Sequence, residues 1–495
     1  MIRGGGPASW PWLAPYWQRS GTRRFLIAFA SVSLGNYGAI AMSFLISVAL
    51  TRALGAEEYG RFALLLTVSQ VLVVFVTAWS LTGLVRFGAR EHATSGAIAE
   101  TFWSRAVLVG PSLAAAVGVL LGAAPFLGAV LGVATSATLV VIWHLLGATV
   151  ASTANGALQA LGRMSLYGIA LLVERAVSLV AILAVSRLAG LDAVGAVAIY
   201  AISGALVGAW VFRSIGARAL LPIRASRSSI GALWRFSLPV AASSWAGLLG
   251  TQWIDLAMLR YFLDLVAVGR YALAYQLAGA LLQIAFVMST LLLPRYSVMA
   301  QREPEELRRE VGRTVPYWLF AFSLGAAIAV AAAGPLVPLA FGPDFAPAVP
   351  ALGLLLVATS AAAIASICQA LLAAHGIMWP LTGAIVASVA TNVVLNAVLI
   401  PPLGIVGAAA ATLAAYGLSA ALMLSVVRLR IGLGVLRYAL FVLPAAAVHL
   451  AWLTLGGIAF WLATVVVVTA AAVGLAYAFG LFRTPRDTGA VGSGA

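Results

Sequence analysis

The chain has 495 residues, of which 63% are hydrophobic and 9% charged, with a mean hydropathy of +1.06 and a formal net charge of +15. Soluble domains carry roughly 25% charged residues, so this composition excludes a water-exposed globular surface and leaves lipid as the solvent for most of the exterior. All 29 basic residues are Arg. Without Lys there is no phosphate-cradling Walker A loop, and the positive charge reads as cytoplasmic retention in a membrane protein rather than as a nucleic-acid surface.

Residues 1–24 carry four arginines and read as a cytoplasmic tail. They are not a cleavable signal, because the apolar run that follows is of full span length. The expected class is an all-α integral membrane protein. About fourteen helices are predicted, near 25–50, 61–85, 102–124, 136–160, 165–188, 193–214, 235–258, 269–294, 314–339, 349–373, 378–400, 405–427, 438–455 and 458–480. The stretch Leu64 to Val85 has no charged residue, and ~20 apolar residues cross a hydrocarbon core of ~30 Å. Helices are the expected form because lipid offers no partner to an open backbone, and the alternating strands of a membrane barrel are absent from the sequence.

Two polar connections stand out. Ser214 to Trp234 reads as a cytoplasmic linker, and Arg295 to Arg313, with Glu303, Glu305, Glu306 and Glu310, reads as a short cytoplasmic surface helix. The expected organisation is an N-lobe over 25–214 (helices 1–6), a linker over 215–234, a C-lobe over 235–427 (helices 7–12), two extra helices over 428–480, and a C-terminal cytoplasmic tail over 481–495. Placing both termini in the cytoplasm puts 23 arginines on that side, Arg105 among them, against five at the outer edges: Arg52, Arg61, Arg187, Arg260 and Arg270. This asymmetry fixes the predicted orientation. Arg175 is the one arginine placed deep inside a span.

The halves repeat. Gly60-Arg61-Phe62-Ala63-Leu64 matches Gly269-Arg270-Tyr271-Ala272-Leu273 at an offset of 209, Gln159-Ala160-Leu161 matches Gln369-Ala370-Leu371 at 210, and Gly195-Ala196 matches Gly407-Ala408 at 212. Six helices per copy is an even number, so both copies insert in the same direction, as a parallel pseudo-twofold repeat about the membrane normal. The last two helices fall outside this symmetric body.

Candidate site residues follow from polarity inside spans, which is costly and usually functional. Glu174 and Arg175 sit near the middle of the fifth span, and neighbours on a helix point about 100° apart, so the two cannot share one face. They read either as a structural ion pair between helices or as cavity chemistry. Asp255, near the outer end of the seventh span, reads as a partner of Arg260, a helix cap or a cavity acid. Asn36, Asn155, Gln276, Asn392 and Asn396 read either as interhelical hydrogen bonding or as sugar contacts in a wet cavity. Asn392 and Asn396 share a face. Glu57 and Glu58 read as a solvated pair in the first outer loop. The single cysteine, Cys368, excludes an internal disulfide. His92, His144, His375 and His449 are scattered, with no HExxH. No catalytic residue, metal or cofactor is expected.

Several segments resemble polysaccharide-biosynthesis flippases, members of the MOP superfamily that also holds MATE drug exporters and lipid II flippases. These are Leu50-Thr51-Arg52-Ala53-Leu54-Gly55-Ala56-Glu57-Glu58-Tyr59-Gly60, Trp253-Ile254-Asp255-Leu256 with Val268-Gly269-Arg270-Tyr271-Ala272, and Asn392-Val393-Val394-Leu395-Asn396 followed by Leu399-Ile400-Pro401 and Gly404-Ile405-Val406-Gly407-Ala408-Ala409. The resemblance covers most of residues 25–427. It implies two six-helix lobes around a cavity that opens alternately to each side, and an undecaprenyl-diphosphate-linked oligosaccharide as substrate. It further implies a place in a bacterial inner membrane, in contact with membrane lipids and with polysaccharide polymerase and chain-length machinery, for O-antigen, capsule or exopolysaccharide assembly. Such a chain is a transporter, not an enzyme. Diphosphate suits Arg, which stays charged and bonds bidentately; Arg175 in mid-span and Arg52, Arg61, Arg260 and Arg270 near the outer mouth are the candidates. The first span holds neither an Arg beyond its start nor the embedded Asp of many MATE exporters. The alternatives are a cation-coupled drug exporter of the same fold, a membrane glycosyltransferase, and a non-transporting scaffold.

Overall fold

A computed structural model describes residues 22–249 and 253–479, and among these the regular structure is helical, with no strand. The expected tail 481–495, and all of the expected tail 1–24 except its last three residues, lie outside the described residues. Eleven segments are long and apolar enough to cross a membrane. Two of them, Leu34–Ser95 with 62 residues and Met378–Ile431 with 54, far exceed the ~20 residues one crossing needs.

Each of these long segments is broken at one glycine. Gly55 has φ 69 and ψ −179, and Gly404 has φ 60 and ψ −137, a left-handed region that glycine enters without penalty. Counting by the repeat offsets, Gly55 corresponds to Asp264 and Gly404 to Asp192. Both aspartates are extended N-caps, at φ −112 and φ −113. Their side chains accept from Ala267 N at 2.8 Å and from Gly195 N at 2.7 Å, satisfying amides that a helix start leaves open. Each repeat therefore turns its two hairpins by opposite devices, a glycine break at one and an Asp cap at the other.

The described chain forms two compact units. The first draws on Met1–Ala53 and Leu65–Trp245. Its helices Ala137–Ala160 and Ala193–Ile215 pack backbone to backbone through Gly147, Gly204 and Gly208, and Gly35 rests on Gly168. Small residues permit such approach where lipid supplies no hydrophobic drive between helices.

The second unit draws on Leu54–Leu64 and Ala246–Ala495. At its centre the helix Val349–Ala374 is buried on nearly every side. The segment Leu54–Leu64 meets its own repeat here. A Cβ on Gly60 would run into the Leu265 carbonyl and lie 2.8 Å from Gly269 N. A Cβ on Gly269 would run into the Ala56 carbonyl and lie 2.8 Å from Gly60 N. Ala56 corresponds to Leu265 as Gly60 does to Gly269, so the contact is reciprocal, the signature of a local twofold axis. Arg61 and Arg270 follow the two glycines directly and occupy equivalent places about that axis.

The structure corrects the expected surface helix over Arg295–Arg313. That stretch is the ends of two 38-residue helices, Leu265–Arg302 and Pro304–Phe341, which meet at Glu303. At ~1.5 Å per residue each helix is far longer than the ~30 Å core, so their polar ends continue into water, where Arg295 pairs with Glu310. The expected seventh span, 235–258, includes residues 250–252, which lie outside the described residues; on either side stand helices Arg227–Leu249 and Trp253–Phe262.

Replacing Gly60 or Gly269 by Ala forces a methyl into a backbone contact, and overpacking of this kind costs about 1–3 kcal/mol. Each single variant is expected to unfold at lower temperature in detergent. The double variant should lose less than the sum of the two, because both methyls enter one contact.

Candidate functional site

The densest polar cluster among the described residues is built around Asp255 in the second unit. Asp255 sits in the first turn of Trp253–Phe262 and is 3% exposed. Its Oδ2 accepts from Tyr271 OH at 2.6 Å and from Thr412 Oγ1 at 3.1 Å, and its Oδ1 accepts from Asn396 Nδ2 at 2.7 Å. Asn396 also donates to Asn392 Oδ1 at 3.1 Å, and Asn392 donates to Thr412 at 3.3 Å. The i,i+4 spacing of Asn392 and Asn396 places both amides on one helix face. Thr412 lies beyond the break at Gly404, so both parts of Met378–Ile431 contribute. One helical turn on from Tyr271 and Thr412, Tyr275 OH and Tyr416 OH meet at 3.1 Å.

A carboxylate out of water is tolerated only when hydrogen-bonded or paired. Three neutral donors from two helices meet that need here, and bonds to a charged acceptor are the stronger kind. The Asn396 amide must point its nitrogen at Asp255, since the reverse would set two acceptors face to face. This leaves its Oδ1 buried without a hydrogen-bond partner. The arrangement is an acid enclosed by neutral polar groups, cut off from bulk water, and it ties three helices together.

In the first unit, Arg175 on helix Met164–Leu188 sets its guanidinium carbon 5.7 Å over the Tyr200 ring of helix Ala193–Ile215. The Tyr200 ring centre is 6.4 Å from His144, whose Nδ1 is 2.7 Å from Ser69 Oγ. No ion pair joins Arg175 to Glu174 among the described residues. Cation–π attraction supplies part of what a counter-ion would.

Arg105 departs from expectation. Counted with the cytoplasmic arginines, it lies inside the span Ala99–Gly122 and is 2% exposed. It donates through Nε to Ser80 Oγ at 3.0 Å, through Nη1 to Thr153 Oγ1 at 3.0 Å, and through Nη2 to Thr77 O at 3.1 Å. Thr77 belongs to a π-helical turn, Val74–Ala78. Its carbonyl also accepts from the Trp79 amide and from Ser80 Oγ at 3.3 Å, and the guanidinium adds a third bond. Among the described residues, Arg105 is thus a second arginine inside a span, buried where Arg175 is half-buried.

The remaining candidates are spread out. Arg61 pairs with Glu57 at 3.0 Å and with Glu58; the acidic pair stays in contact with solvent, Glu57 being 60% exposed, and meets the arginine because i,i+3 and i,i+4 positions share a helix face. Arg270 donates through Nε to the Asp344 carbonyl at 2.8 Å. Gln276 accepts from Tyr59 OH at 2.7 Å. Arg52 and Asn36 are exposed, and Asn155 and Arg260 are half-buried. The structure brings Asp255, Asn392 and Asn396 together and adds Tyr271 and Thr412, which the sequence did not single out. Tyr271 lay in a repeat block, but nothing there marked its hydroxyl.

The sequence profile of the family described as polysaccharide biosynthesis protein matches residues 27–300. A comparison with curated proteins finds no match. Among solved structures, the lipid II flippase MurJ in an inward closed conformation superposes with a TM-score of 0.71 at 12% identity, covering 91% of this chain and 99% of that one. An inward-facing multidrug resistance MATE family transporter of the MOP superfamily gives 0.63 at 16% identity, covering 82% and 98%. The Vibrio cholerae MATE transporter VcmN gives 0.53 at 17% identity, covering 82% and 97%. At these identities the likeness is one of fold.

Removing one donor from a buried carboxylate costs about 1–3 kcal/mol, so Tyr271→Phe is expected to lower the unfolding temperature in detergent. Arg105→Ala removes the three hydrogen bonds that tie its helix to Ser80, Thr77 and Thr153 and should reduce the amount of protein reaching the membrane, read by immunoblot of membrane fractions.

Proposed function

The chain belongs to the polysaccharide biosynthesis protein family, and from that premise we propose that it is a flippase. It carries undecaprenyl-diphosphate-linked oligosaccharide units from the cytoplasmic to the outer leaflet of a bacterial inner membrane by alternating access, for O-antigen, capsule or exopolysaccharide assembly. It would work beside polysaccharide polymerase and chain-length machinery, with both termini cytoplasmic. The lobes proposed for this motion are residues 25–214 and 235–427, joined by the linker 215–234.

The observation that carries this reading is the family match over residues 27–300, joined to a physical need. A sugar and diphosphate headgroup cannot cross hydrocarbon unaided, while its lipid tail can stay in the bilayer. The passage must offer cations that remain charged, which Arg does. Arg175 is the proposed headgroup contact in mid-span. It is the better candidate than Arg105, whose donors are already engaged by three protein acceptors. Arg52, Arg61, Arg260 and Arg270 are proposed contacts toward the outer mouth. Asn36, Asn155 and Gln276 are proposed sugar contacts, and Glu174 a partner that steadies Arg175 between turnovers.

A second reading, a cation-coupled exporter of the same fold, is favoured by one observation, the enclosed Asp255 with its neutral donors. Drug efflux from vesicles driven by an ion gradient would select it over the first.

Two experiments test the proposal. In a Cys368→Ser background, a single cysteine replacing Ser228 should be shielded from an impermeant thiol reagent in intact cells, and one replacing Glu57 should label; labelling at Ser228 from outside overturns the orientation. Arg175→Ala should leave membrane levels near normal and abolish complementation of surface polymer, with Arg175→Lys restoring part, since Lys keeps the charge but not the bidentate fork. Full activity of Arg175→Ala would remove it from the headgroup path.

A further inference from the structure

We propose that the linker strap between the helices Ala193–Ile215 and Arg227–Leu249 is a docking surface for the anionic phospholipid headgroups of the cytoplasmic leaflet. The inference rests on the orientation given above but not on what is transported.

The strap does not hang free. Its inner side is pinned to the start of helix Ala99–Gly122: Ile98 N donates to Ala219 O at 2.9 Å, and Trp103 Nε1 to Leu220 O at 2.8 Å. The Ser226 and Ser229 hydroxyls both donate to the Glu100 carboxylate. Arg163 holds the end of the preceding helix through Ser214 O at 2.8 Å. These fastenings set the strap level with the ends of two spans, Ala193–Ile215 and Ala99–Gly122. That level is the membrane–water interface.

Its outer side has the composition that such a level selects. Leu221 is 50% exposed and Ile223 71%. Arg213, Arg218, Arg224 and Arg227 are exposed, and none forms an ion pair among the described residues. Two acids lie on the inner side, held by neutral donors, and Glu100 is close enough to Arg224 for the two charges to attract. Glu91 accepts from Glu100 N and Thr101 N, and Glu100 from the two serines. Trp210 and Trp234, on the flanking helices, are 40% and 48% exposed, as expected of side chains at headgroup level. Apolar side chains interleaved with exposed arginines in excess over the nearby acids match a surface that is apolar below and negative above. The cytoplasmic leaflet provides both, and each arginine near it favours the bound state roughly fivefold. A soluble protein partner would meet the charges but would find Leu221 and Ile223 already at the bilayer.

The test uses the full chain with Ile223→Cys in the Cys368→Ser background, labelled with an environment-sensitive fluorophore. It is reconstituted into phosphatidylcholine vesicles with or without phosphatidylglycerol, the headgroups carrying a nitroxide quencher. Quenching should rise with phosphatidylglycerol and fall again in high salt. The combined substitution Arg218→Gln, Arg224→Gln and Arg227→Gln should remove the phosphatidylglycerol response. Arg428→Gln with Arg430→Gln, exposed arginines elsewhere on the same expected side, should leave it intact. Leu221→Ser, which changes no charge, should weaken quenching in both membranes if the triple variant proves unstable. Equal quenching with and without phosphatidylglycerol, or loss of the response in the Arg428 and Arg430 control, would overturn the proposal. Protection of the probe by trace undecaprenyl diphosphate, where excess phosphatidylglycerol gives none, would also overturn it and assign the strap to the substrate's path instead.

Discussion

A polar group inside hydrocarbon must bring its own partner, and that requirement shapes this molecule at every level. It makes the described backbone helical, since helices satisfy their own amides. It also sets how each enclosed charge is held. Asp255 is held by three neutral donors from two neighbouring helices. Arg105 is held by two hydroxyls and a carbonyl beside a π-turn. Arg175 is held by an aromatic face. These are three solutions to one problem, and they differ in how much bonding capacity they leave. Arg105 spends three of its five donors on protein. Arg175 rests on the Tyr200 ring instead.

The same logic separates the two ends of the polar network in the second unit. Asp255 and its donors join helices that are far apart in sequence. The strap between the repeats obeys the constraint from the other side. Its apolar residues would be misplaced in water and its arginines misplaced in hydrocarbon, and the boundary between the two accommodates both.

Internal repetition adds a second level of economy. Glycine at Gly55 and Gly404, and aspartate at Asp264 and Asp192, end or begin helices at matching places by different chemistry. What the two copies share without exchange is the close approach at Gly60 and Gly269, where each repeat supplies the other's missing side-chain volume. A point on a twofold axis meets its own copy, so a change there acts twice, and only the smallest residue fits on both sides.

The sequence by itself determined the membrane class, most of the spans and the repeat, because these depend on composition and order along the chain. Charge-free runs need lipid whatever they pack against, and matched blocks at a constant offset need no coordinates to be seen. It also marked Asp255, Asn392 and Asn396, since a polar residue in an apolar run is visible on its own. Only the tertiary structure could join them, because Asp255 and Asn396 are 141 residues apart and Asp255 and Thr412 are 157. The hydroxyls of Tyr271 and Thr412 went unmarked because ordinary residues gain a role only from what faces them. Depth escaped the sequence for a related reason. Arg105 stands near the start of its span, where an arginine usually reaches water, and its burial is decided by Ser80, Thr77 and Thr153 on neighbouring helices. Likewise the polar stretch 295–313 gave no sign that two helices run through it, since a helix leaving the bilayer changes its solvent but not its backbone hydrogen bonds.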